Sequence, residues 1–344
     1  MTTKMRSEIA EQPAALRATL DALLPRVDEV KGLAGGARQL VFIARGTSDN
    51  AAVYGRYLIE AHAGRLSSLA APSIATTYKR KLDLGGVLAV ALSQSGRTEE
   101  IVETLAWAKD CGASTVAITN GGEESPLAQA ADLALCTVAG EEKAVPATKT
   151  YTTQLAALAV LALGLGADVD ADDLQRVPDA VEALIADPGD LDAVVDGLAE
   201  VSGVVVSGRG MAFSTALETA LKLKEACYLH AMGLSYADLL HGPIAVVDES
   251  TPALLIAAGE GPTLQGTVAL ARRVTGAGAS AFGVGGGDEL AAASTAALNG
   301  PALPEWVAPM GLIIPGQLVT EALARRRGID PDSPRGLNKV TQTD

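Results

Sequence analysis

Glu225, His241 and Lys339 are of types that could together rework a sugar. Glu225 closes the run Leu221-Lys222-Leu223-Lys224-Glu225, His241 follows sixteen residues later in Leu240-His241-Gly242-Pro243, and Lys339 lies five residues from the C-terminus. An acid/base carboxylate, a scarce histidine and a tail lysine can open a sugar ring, move a proton and hold a carbonyl as an imine. Each also has an ordinary reading. Lys222 and Glu225 are three apart on one helix face, which would suit a plain surface ion pair. A lone histidine is more often structural, and a lysine near a terminus is usually solvated. The position of His241 before Gly242-Pro243 predicts a turn and exposure at the edge of a site.

A second group of polar residues follows an apolar strand. Ser93-Gln94-Ser95-Gly96-Arg97-Thr98 comes after Gly86-Val87-Leu88-Ala89-Val90-Ala91-Leu92 and opens a helix. There, hydroxyls and backbone N–H groups would converge on the positive end of the helix, which suits a phosphate dianion. Gly96 would allow close backbone approach. A capping turn is the plainer alternative, but three hydroxyls and a glutamine at the C-terminal end of a strand favour phosphate. Gly46-Thr47-Ser48 makes a similar turn one strand earlier. The corresponding stretch of the second half, Gly259-Glu260-Gly261-Pro262-Thr263, lacks the Ser-Gln-Ser cluster, so one half alone is equipped for phosphate.

The elements that must position these residues follow from periodicity. Ile9, Leu16, Leu20, Leu23, Leu24 and Val27 predict a leading helical arm interrupted at Pro13 and Pro25. Strands are expected at 40–44, 87–92, 114–119 and 133–137, with helices at 51–61, 99–110 and 151–163. Alternation of apolar strands and helices implies a parallel sheet covered on both faces. The stretch from Gly164 to Pro188 turns acidic and reads as part of a connection. The pattern then restarts with a strand at 203–207, a helix at 212–231, a strand at 253–258 and a helix at 316–327, as though one α/β unit were present twice. The expected division is an arm (1–38), a first domain (39–165), a connection (166–200) and a second domain (201–344).

Composition narrows the function classes. The chain has 344 residues, is 48% hydrophobic and carries a net charge of -14 without a basic run. That disfavours nucleic-acid binding, which needs concentrated Lys and Arg. Cys111, Cys136 and Cys227 have no disulfide or zinc spacing, and no metal or organic cofactor is indicated. No apolar stretch reaches the roughly 20 residues of a membrane span, and the N-terminus lacks a signal-peptide pattern. The expectation is a cytoplasmic protein.

Gly46-Thr47-Ser48, Ser93-Gln94-Ser95-Gly96, Ala147-Thr148-Lys149-Thr150-Tyr151-Thr152-Thr153-Gln154, Leu221 to Glu225, His241-Gly242-Pro243 and the Pro334-Arg335 tail, in this order, resemble the double sugar-isomerase (SIS) family. The likeness is to the isomerase region of glucosamine-fructose-6-phosphate aminotransferase and covers nearly the whole chain after the arm. It implies two αβα sandwich SIS domains with parallel sheets. It also implies a phosphosugar site in which Ser93, Gln94, Ser95 and Thr98 hold phosphate, assisted by Thr47 and Ser48, with Val145, Ala147 and Lys222 close to the sugar. By the same likeness Glu225 is the base between C1 and C2, His241 the ring-opening residue, and Lys339 the imine former. The histidine comes from the neighbouring subunit in such enzymes, so a homodimer is implied.

The chain departs from the family in several places. Its first SIS strand begins at Leu40 after Met1-Thr2, without the glutaminase domain, so release of ammonia from glutamine is not expected. Ala147 stands where a serine is usual, Arg97 where an acidic residue is usual, and Arg45 where a small one is usual. The two basic residues favour an extra anionic or acylated group on the substrate. The leading expectation is an isomerase or deaminase for an amino-sugar 6-phosphate such as glucosamine 6-phosphate. The alternatives are a dehydratase acting on N-acetylglucosamine 6-phosphate and a non-catalytic sugar-phosphate sensor.

Overall fold

The computed structural model describes residues 2–339, in which two five-stranded parallel sheets are flanked by helices. The first sheet holds β1 (Gln39–Ile43), β2 (Leu66–Leu69), β3 (Val87–Ser93), β4 (Ser114–Thr119) and β5 (Leu133–Cys136) in the order β2-β1-β3-β4-β5. The second holds β6 (Gly203–Gly208), β7 (His230–Ser235), β8 (Ala253–Ala257), β9 (Ala281–Gly285) and β10 (Ala296–Leu298), and runs β7-β6-β8-β9-β10. Numbered within each half, both orders are 2-1-3-4-5, so the internal repeat is one of topology. All seven residues of β3 and all five of β8 are buried, as expected of parallel strands covered on both faces.

The chain divides into two compact units. One comprises Ala14–Glu142 and Lys149–Asp172 and contains the first sheet. The other comprises the residues up to Pro13, Lys143–Thr148 and Asp173–Lys339 and contains the second. Residues in the expected connection, 166–200, form helices Asp173–Ala186 and Leu191–Ala199, which pack with helix Pro309–Arg326 inside the second-sheet unit.

In a 2-1-3-4-5 sheet the chain leaves the first and third strands in opposite directions. This opens a crevice at their carboxyl ends, where open α/β sheets bind ligands. The first sheet places Gly46-Thr47-Ser48 and Ser93–Thr98 on the two sides of that gap. Among the described residues no helix is long and apolar enough to cross a membrane.

Several elements differ from the sequence reading. The helix expected at 212–231 stops at Cys227, because Tyr228 adopts a left-handed φ of +54° and His230–Ser235 becomes β7. The helix expected from Gly316 starts at Pro309 and carries Pro315 inside it. The helix expected at Ala51 starts at Thr47, behind Gly46 at φ +57°. Pro13 sits in the first turn of helix Gln12–Leu23, where its missing N–H costs no intrahelical bond.

Candidate functional site

In the first-sheet unit the Ser93–Thr98 turn is built around Gly96. Its φ is +63°, and a Cβ there would stand 2.6 Å from Ser125 Oγ and 2.8 Å from Thr119 Oγ1, so only glycine fits. The Gly96 N–H donates to Ser93 Oγ at 3.2 Å, and the Arg97 N–H donates to Ser95 Oγ at 3.2 Å. Ser93 Oγ and Thr98 Oγ1 lie 3.4 Å apart. Thr98 occupies the N-cap of helix Glu99–Asp110, yet its side chain makes no capping bond. The turn therefore gathers its hydroxyls at a helix N-terminus without spending that of Thr98 on the helix.

Thr47 and Ser48 open helix Thr47–Leu58 at the end of β1. Ser48 is buried and accepts a 3.0 Å hydrogen bond from Gln154 Nε2. The other amide atom of Gln154, Oε1, is buried without a partner. Arg45 was expected to offer its charge to the substrate. Instead it makes two bonds to Glu100, Nε to Oε2 at 3.0 Å and Nη2 to Oε1 at 2.9 Å.

The second-sheet unit presents a charged trio on helix Ala212–Cys227. Lys222 Nζ lies 2.5 Å from Glu225 Oε2 and 3.4 Å from Glu218 Oε1. The side chains of Lys222 and Glu218 are 1% and 0% exposed, whereas that of Glu225 is 23% exposed. The plain surface pair is therefore ruled out: a buried cation holds one buried carboxylate and one that reaches an open face. Glu225 lies in the last turn, where the helix dipole disfavours an anion, and the lysine offsets that. The helix is positioned by close contact with helix Pro309–Arg326, in which Gly316 leaves room for Thr219. Glu218 was not singled out in the sequence, although its spacing of four from Lys222 was a signal for it.

Lys339 is held in the same unit. Its Nζ donates to the Ala144 carbonyl at 2.7 Å, in the segment that also carries the half-buried Val145 and Ala147. Ala144 N–H donates to the Glu8 carboxylate at 3.3 Å, and Val145 N–H donates to Asp332 O at 3.0 Å. Upstream of Lys339, the Arg335 guanidinium stacks on Tyr228 at 4.3 Å, and the Arg335 N–H donates to the Tyr228 hydroxyl at 2.8 Å. The tail lysine is thus anchored to protein. His241 is on a separate element, exposed at the C-cap of helix Tyr236–Leu240. Among the described residues no group of three or more His, Cys, Asp or Glu could hold a metal ion.

The SIS domain model matches residues 36–164. Over 97% of its length the chain is 35% identical to the glutamine-fructose-6-phosphate aminotransferase (isomerizing) of Methanothermobacter thermautotrophicus. It spans 56% of that relative, so it covers little more than half the length of such curated proteins. A solved structure of a proposed phosphosugar isomerase from Silicibacter pomeroyi DSS-3 is similar at TM-score 0.87 and 32% identity, over 96% of this chain and 100% of that one. The C-terminal domain of glucosamine-fructose-6-phosphate aminotransferase from Francisella tularensis gives 0.84 and 28%, over 97% and 99%.

Proposed function

The chain belongs to the SIS-domain family, and from that membership we propose that it is an enzyme rearranging an amino-sugar 6-phosphate. The reaction is conversion of a substrate such as glucosamine 6-phosphate, with water, to fructose 6-phosphate and ammonia. The observation that carries this reading is the Glu218-Lys222-Glu225 trio, in which a buried lysine holds a partly exposed carboxylate in one orientation. A base must be fixed in this way to move a proton between adjacent carbons.

In this reading Ser93, Gln94, Ser95 and Thr98 receive the phosphate, with Thr47 and Ser48 contributing from the adjoining turn. His241 assists ring opening, and its exposure on one chain is in keeping with service to a neighbouring subunit of a homodimer. Glu225 removes the C2 proton of the open-chain aldehyde and returns a proton to C1. The enolamine formed in between becomes a C2 imine, which water cleaves to ketone and ammonia. Lys339 can take over that imine by exchanging its own amine for ammonia. Val145 and Ala147 border the sugar, and three free cysteines fit a reducing cytosol.

The test is to incubate the protein separately with glucosamine 6-phosphate and N-acetylglucosamine 6-phosphate, following ammonia, fructose 6-phosphate and loss of water by mass spectrometry. Ammonia with fructose 6-phosphate is expected. Loss of one water from the acetylated sugar would replace this reading with a dehydratase, and binding without conversion would replace it with a sensor.

A further inference from the structure

The second-sheet unit carries the same pair of loops as the first. In the first unit Gly46, at φ +57°, closes the turn after β1, and Gly96, at φ +63°, lies two residues before Thr98. In the second unit Gly210, at φ +61°, closes the turn after β6, and Gly261, at φ +110°, lies two residues before Thr263. An arginine precedes each of the first-strand glycines, Arg45 and Arg209. Thr98 and Thr263 both stand at the N-cap of a long helix without capping it. Both loop pairs flank the same gap, between the first and third strands of the 2-1-3-4-5 order.

What differs is the chemistry within the loops. Ala258-Gly259-Glu260 replaces Ser93-Gln94-Ser95, and a carboxylate stands at the gap. Thr263 Oγ1 donates to Glu305 Oε1 at 3.3 Å. A Cβ built on Gly210 would lie 3.3 Å from Glu305 Oε1, and one built on Gly261 would lie 2.7 Å from Oε2, so the carboxylate packs against both turns. Near the carboxyl end of β6 the hydroxyl of Ser207 is buried without a hydrogen-bond partner.

We propose that the Glu305 carboxylate is an internal stand-in for phosphate that fills the second cradle and closes it to phosphate ligands. A carboxylate offers anionic acceptor oxygens to the Thr263 hydroxyl and to the helix N-terminus beside it, groups that a phosphate dianion would also engage. The inference rests on the reading of the Ser93–Thr98 turn as a phosphate holder. Its consequence is that removing the Glu305 side chain opens a second site for a phosphate dianion or a phosphomonoester.

The test counts inorganic phosphate sites by equilibrium dialysis with labelled phosphate. The unsubstituted chain should bind one per chain, Glu305→Ala two, and Ser95→Ala/Thr98→Ala none. The triple variant should bind one. No gain on Glu305→Ala in either background would overturn the proposal, as would a second site already present without it. Retention of the single site by Ser95→Ala/Thr98→Ala would instead overturn the reading of the first cradle. If Glu305→Ala folds poorly, its melting in phosphate against chloride at matched ionic strength decides. Phosphate should raise its midpoint more than that of the unsubstituted chain, and equal shifts would overturn the proposal.

Discussion

Replacing Lys222 by methionine probes the trio that orients Glu225. The ammonium is 1% exposed and lies 2.5 Å from one carboxylate and 3.4 Å from another that is wholly buried. Methionine keeps most of the volume but removes the cation that Glu218 and Glu225 share. Removing one partner of a buried ion pair costs about 3–5 kcal/mol, most of it for the uncompensated charge left behind. For a unit of this size one kcal/mol moves the melting midpoint by about 2–4 °C, so Lys222→Met should melt about 10 °C lower. Adding Glu218→Gln removes one of the stranded charges and should recover about half of the loss. Calorimetry of the three proteins reads both effects. A single variant that melts within about 2 °C of the parent, or a double variant less stable than the single, would refute the electrostatic account of the trio.

Gly96→Ala should raise the dissociation constant for inorganic phosphate at least about tenfold, because a Cβ meets Ser125 and Thr119 in a left-handed turn and overpacking alone costs about 1–3 kcal/mol; dialysis checks this. Borohydride added with fructose 6-phosphate should fix the sugar to the peptide containing Lys339, and Lys339→Arg should abolish that adduct in mass spectrometry. Burial pushes the Cys227 thiol up to about 12, so at pH 8 maleimide should label Cys227 only after unfolding, as peptide mapping would show. Because the folded chain keeps that proton while the unfolded chain gives it up near an ordinary thiol pKa of about 8.5, this group's contribution to stability is full below pH 8.5 and is lost as pH rises toward 12. Between about pH 8.5 and 12 the denaturation midpoint of the parent should fall more steeply with pH than that of Cys227→Ala, which lacks the thiol, and equal slopes would contradict this.

The sequence made the fold most legible where strands are buried on both faces. Residues 87–92 and Ala253–Ala257 are unbroken apolar runs, and the segment Glu99–Asp110 has the same ends by periodicity and in the structure. Leu66–Leu69 escaped notice because Leu-Ser-Ser-Leu at a sheet edge carries little apolar signal, and Ala296–Leu298 because three residues give no period. The start of strand His230–Ser235 falls inside the helix expected at 212–231 because the helix terminator is Tyr228 in a left-handed conformation, without the usual glycine. Pro315 looked like a helix boundary, but in a helix whose surroundings are almost wholly buried, packing overrides the breaker. At the candidate site, residue types located Glu225, Lys222 and the Ser93–Thr98 turn. Burial, which sequence does not report, separates the Lys222 pair from a surface one and brings in Glu218. Pairing of Arg45 with Glu100 was equally hidden, since 55 residues separate them.

The central claim is that Glu225 transfers a proton on an amino-sugar 6-phosphate. It is tested most directly by comparing release of fructose 6-phosphate from glucosamine 6-phosphate by the parent and by Glu225→Gln, with inorganic phosphate binding measured on both. The account predicts turnover by the parent, a loss of about 10²–10⁴-fold in the variant, and equal phosphate affinity. Equal turnover by the two proteins, or phosphate binding by the parent with no product, would contradict it.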